Sequence, residues 1–76
     1  MEYLFTTTIN FNSNSANYLV YFSEEQYIFQ PEAKDKNLPF FSFKREHDEW
    51  HEQNVISPLL KKQAIDALEN YLMAQH

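Results

Sequence analysis

Residues 43–54 read FKREHDEWHEQN, from Phe43 to Asn54, and two readings compete for them. HDEWH sets His47 and His51 four residues apart with two acids between them. On a helix, residues so spaced share a face about 6 Å apart along the axis, which is how H-E-x-x-H chelates zinc. Here the second residue is Asp48 rather than Glu, and the upstream flank alternates: Phe41, Phe43 and Arg45 against Phe40, Ser42 and Lys44. A two-residue turn at His47-Asp48 would pair Glu46 with Glu49, Arg45 with Trp50, Lys44 with His51 and Phe43 with Glu52. That register sets Trp50 beside Arg45 as a cation–π pair. It puts Phe41, Phe43 and Trp50 on one face and His51, beside Lys44, on the other. Along an extended chain His47 and His51 lie about 13 Å apart, at roughly 3.3 Å per residue. Two imidazoles on one zinc need nitrogens about 2 Å from it. The stretch is predicted to be a hairpin, and no metal site is assigned.

Working outward, Tyr3 to Phe11 alternates, with Tyr3, Phe5, Thr7, Ile9 and Phe11 on one side and Leu4, Thr6, Thr8 and Asn10 on the other, as a strand does. Asn12 to Asn17 is a polar turn region. Tyr18 to Phe22 is apolar throughout, too short for a helix and rich in strand formers, and so reads as a strand with both faces covered. Ser23 to Gln26 turns the chain into a third strand over 27–30, which Pro31 closes because proline cannot donate to a ladder. Glu32 to Asn37 is a charged, solvated loop. Strands over 40–45 and 49–54 complete the series. Ser57-Pro58 then announces a helix over 58–74, with Ser as N-cap and Pro at the first helical position. Its apolar stripe is Leu60, Ala64, Ala67, Leu68, Tyr71 and Leu72, flanked by Ile65. Lys61 and Lys62 fall near the positive end of the helix dipole, which is mildly unfavourable. His76 is expected to fray. The predicted fold is α+β: one domain over 1–76, an antiparallel meander of four or five strands followed by one C-terminal helix packed on one face.

Composition narrows the chemistry. With no Cys there are no disulfides, thiolate zinc sites or thiol nucleophiles, which fits a reducing, cytoplasmic setting. With no Gly the P-loop, the dinucleotide fingerprint and the G-x-S-x-G elbow are excluded in their usual forms. Any residue forced to φ > 0 is expected to be Asn, Asp or His. The longest apolar run is far below the roughly 20 residues of a membrane span, and MEYLFTTTINF lacks a basic signal-peptide region. Six Lys and Arg against eleven Asp and Glu give a net charge of −5, which disfavours phosphate backbones and suits a basic protein partner.

Seven Phe, five Tyr and one Trp exceed what one helix can cover. If the helix covers Phe5, Ile9, Phe11, Tyr18, Val20, Phe22, Phe41, Phe43 and Trp50, the opposite face keeps Leu4, Leu19, Tyr21 and Phe40, with either Ile28 or the Tyr27–Phe29 pair. A contiguous apolar face marks an interface. The expectation is a non-catalytic interaction or regulatory module, with no cofactor, that uses this face to bind another protein or a second copy as a weak homodimer. The alternative is a small ligand-binding protein or enzyme with an aromatic pocket whose polar groups are Glu46, Glu49 and His51, with Lys44 on the same face. Opposed Glu46 and Glu49 would raise one carboxyl pKa, as a general acid requires. Nucleic-acid binding by bases stacked on the sheet aromatics is a third reading, opposed by the charge.

Overall fold

The structure, a computed structural model, describes residues 1–34 and 37–75. The charged loop expected over 32–37 therefore lies partly, and the expected fraying of His76 wholly, outside the described residues. Five strands, β1 (Glu2–Asn10), β2 (Ser15–Ser23), β3 (Gln26–Pro31), β4 (Phe41–Glu46) and β5 (Glu49–Glu52), precede one helix, α1 (Pro58–Ala74). The strands form a single antiparallel sheet in sequence order. Fold class, strand order and the C-terminal helix are as the sequence predicts.

The β4–β5 hairpin is present in the predicted register, Glu46 opposite Glu49 and Arg45 opposite Trp50. His47 and Asp48 have φ of 53° and 62°, the paired positive values of a type I′ turn, whose twist matches that of the flanking strands. The Arg45 guanidinium carbon stands 4.6 Å from the centre of the Trp50 ring. β5 stops two residues earlier than expected. Past Glu52 the ladder is continued by the Gln53 amide, which donates to the Ser42 carbonyl at 2.9 Å. The Asn54 side chain then takes the Ser42 amide at 3.0 Å, so a side chain replaces the next rung.

One expectation about turns is corrected. Glu24 and Glu25, at the β2–β3 tip, also have positive φ, of 51° and 65°. Ser23 opposite Gln26 leaves only two residues for the loop, and Phe22 packs on Tyr27 at 4.9 Å between ring centres. The aromatic register dictates the turn, and two glutamates adopt a conformation that Asn or Gly would take more readily.

Helix α1 starts as expected: the Leu60 amide donates to Ser57 Oγ at 3.2 Å, with Pro58 at its first position. Lys61 is not a liability there, because its ammonium meets a Glu52 carboxylate oxygen at 3.0 Å and ties the helix to β5. At the other side of the sheet Gln63 clasps Asn10. Its Oε1 accepts from the Asn10 amide at 2.8 Å and its Nε2 donates to the Asn10 carbonyl at 2.9 Å. Between these ties Leu60, Ala64 and Leu68 sit on Ile9, Tyr18, Val20, Phe29, Phe41 and Phe43, all buried. The rings interlock: Phe29 stacks on Phe41 at 4.9 Å and meets Phe43 edge-on at 5.9 Å. Tyr18 donates its hydroxyl to the Pro39 carbonyl at 2.8 Å, and burial pushes its pKa from 10.0 up to about 12.

Candidate functional site

The covered face of the sheet carries Phe5, Ile9, Tyr18, Val20, Phe29, Phe41 and Phe43, as the alternation predicts. The residues between them point the other way. Paired residues of an antiparallel sheet share a face, so the register places Tyr3 and Tyr21, Thr6 and Leu19, Ile28 and Ser42, and Lys44 and His51 on the outer side. Among the described residues no helix or strand covers that side.

Two of the expected face residues, Leu19 and Tyr21, lie on it and are half-buried by their neighbours. Phe40 is exposed at 59%, just before β4 begins. Leu4 is a correction. The register of β1 against β2 shifts between Tyr3 and Phe5, a bulge that takes up one residue. The bulge turns Tyr3 onto the outer face, where it meets Tyr21 edge-to-face at 5.9 Å. Leu4 instead lines a crevice of about 270 Å³ with Phe22, Tyr27, Tyr71 and Leu72, on the helix side. Phe5, which faces the helix with or without the bulge, stacks on Tyr71 at 4.7 Å.

Around Leu19, Tyr21 and Ile28 the outer face is polar but internally bonded. Tyr3 Oη and Thr6 Oγ1 are 2.7 Å apart. Thr8 donates its hydroxyl to Asn17 Oδ1 at 3.0 Å. Ser42 Oγ donates to Gln26 Oε1 at 2.8 Å, while Asn54 takes the Ser42 amide. Ser42 is the buried polar residue of the described chain, and both its amide and its hydroxyl are satisfied. Sequence reasoning missed Gln26, Ser42 and Asn54 as organisers of this face. The signal was slight: a lone Ser between two phenylalanines that both face the core.

The polar candidates Lys44, Glu46, Glu49 and His51 collect at the rim. His51 Nε2 stands 3.7 Å from Glu49 Oε1, and both residues are exposed. Glu46 and Glu49 face each other at the hairpin tip, also exposed, where water and salt screen their repulsion. Glu52 is held below the usual carboxylate range, first by a hydrogen bond from its own backbone and then by the Lys61 ammonium, which is a structural tie.

Among the described residues no group of three or more His, Asp and Glu is placed to hold a metal ion, and no helix is long and apolar enough to cross a membrane. Comparison with protein-family models, with curated proteins and with solved structures gave no match.

Proposed function

We propose that the chain is a non-catalytic interaction module whose outer sheet face receives a protein partner. The observation that carries this reading is the Leu19–Tyr21–Ile28 centre with Tyr3 against it, left without cover by the protein's own helix. An apolar aromatic centre inside a polar rim is how protein interfaces are composed. The hydroxyl and amide bonds around the centre hold it in one arrangement, which lowers the ordering cost of docking. A net charge of −5 selects for a basic partner and speeds its arrival.

The test compares the parent chain with Tyr21→Glu, both immobilised, against an extract of the native organism. A protein kept by the parent, lost by the variant, and then shown to bind directly as a purified component supports the reading. Specific turnover or small-molecule binding that disappears in Glu49→Gln or His51→Ala overturns it in favour of a ligand site at the rim.

A further inference from the structure

The two edges of the sheet are built differently. β5 is four residues long and carries Glu49, His51 and Glu52. Shortness and charge are the usual protections of an edge against pairing with another chain. β1 is nine residues long and has no charge, no Pro and no Gly from Tyr3 to Asn10. Its centre is Thr6-Thr7-Thr8.

The direction of its free backbone groups follows from the register. Phe11 and Asn14 exchange both amide–carbonyl bonds, at 2.6 and 3.2 Å. In an antiparallel ladder bonded and non-bonded pairs alternate, so Asn10, Thr8 and Thr6 turn their N–H and C=O away from β2. Asn10 confirms the direction, because both of its outward groups are held by Gln63. Thr8 and Thr6 carry the same outward groups further along the edge.

We infer that this edge pairs with the β1 edge of a second copy, antiparallel, about a two-fold axis at Thr7. Three features select that register. The segment is its own mirror in sequence, so Thr6 faces Thr8 of the other copy and Thr8 faces Thr6, with about four N–H···O bonds between the chains. Gln63 ends the ladder on the Asn10 side and the bulge at Leu4 ends it on the other. A shift of centre to Thr8 would bring Thr6 against Asn10, whose groups are committed. The side chains of Thr6 and Thr8 are exposed and lie on the outer face, where Thr–Thr cross-strand pairs are favourable.

The pairing joins two outer faces into one surface. A single face measures about 24 by 20 Å at 4.8 Å between strands and 3.3 Å per residue, or about 480 Å². A standard-size interface takes about 800 Å² from each side, which two joined faces reach, while a single face supports a smaller and weaker contact.

Sedimentation over a concentration series tests the pairing with three variants. The parent is expected to dimerise. T6K/T8K places like charges opposite each other across the axis and should weaken the dimer at least about tenfold, with the melting temperature of the monomer held. T6K/T8E places opposite charges there and should keep the dimer. Tyr21→Glu, which removes partner docking, should leave the dimer intact, so the two proposals fail separately. A parent that stays monomeric at millimolar concentration overturns the inference. So does a T6K/T8K dimer as tight as the parent's, or a T6K/T8E chain as monomeric as T6K/T8K.

Discussion

Replacing Leu68 by Ala tests the packing of the helix at its most enclosed point. Leu68 has no exposed surface and lies in the cluster with Ile9, Val20 and the three core phenylalanines. Truncation removes buried carbon and leaves a cavity that interlocked rings close poorly, so the expected loss is about 2–5 kcal/mol. A chain of this length has a total stability of about 4–11 kcal/mol at the usual value per residue. The variant should therefore lose a large share of it, and its melting temperature should fall by about 8–40 °C, at roughly 4–8 °C per kcal/mol for a small domain. Leu59 is the control: it is on the same helix but 55% exposed, so Leu59→Ala should stay within about 0.5 kcal/mol of the parent. Urea unfolding followed by circular dichroism at 222 nm gives both values, and an unchanged slope with denaturant shows that the unfolded states are comparable. Leu68→Ala as stable as Leu59→Ala would refute the assignment of the helix face.

The remaining tests address the turns, the buried phenol and the histidines. Glu24→Asn with Glu25→Gly relieves two left-handed glutamates and should stabilise the fold by about 1 kcal/mol, raising the melting temperature by roughly 4–8 °C in calorimetry; a fall would mean that the glutamates make a contact worth more than the turn. Tyr18 has its pKa raised in the folded state, so its contribution is complete below pH 10, the unfolded value, and is lost as pH rises towards about 12. Alkaline unfolding should therefore steepen between those values in the parent, and Tyr18→Phe should lack that phase. Equimolar zinc should leave the melting temperature unchanged; a rise of several degrees that vanishes in His47→Ala or His51→Ala would restore the chelate reading of HDEWH.

The β4–β5 hairpin is legible because every cue is local: strict alternation, two turn-tolerant residues and an Arg–Trp pair across the register. Ser57-Pro58 and the three-and-four spacing of Leu60, Ala64 and Leu68 are local too, and they place the helix correctly. What the sequence conceals depends on distant partners. The bulge at Leu4 reassigns Tyr3 and Leu4 to opposite sides, Leu4 to a crevice with Tyr71 and Leu72 of the distant helix and Tyr3 to Tyr21. The left-handed Glu24-Glu25 turn is imposed by the Phe22–Tyr27 register, against the preference of the residues themselves. Gln63 at Asn10 spans 53 positions, and neither residue announces the other. The outer face was legible as a surplus of apolar side chains, but the bonds that organise it join β3, β4 and the segment after β5.

The distribution of burial explains why the functional reading rests on surfaces. Acid–base and nucleophilic chemistry needs polar groups taken out of water, where neighbours can move their pKa values and water cannot compete. Among the described residues the interior is given to aromatic rings, and the one buried polar side chain, Ser42, is spent on joining β4 to β3. Glu46, Glu49 and His51 stay in solvent at the hairpin tip, where they shape a field but are not desolvated. What the fold does present to another molecule is an apolar centre fixed by hydrogen bonds, and beside it an uncharged edge with its backbone groups directed outward. In the proposals made above, the first would act by exclusion of water and the second by ladder bonds. They meet along β1, where Tyr3, Thr6 and Thr8 belong to the face and the edge at once. If both proposals hold, a substitution on the edge strand should affect self-pairing and docking together, whereas one at Tyr21 or Ile28, inside the sheet, should affect docking alone.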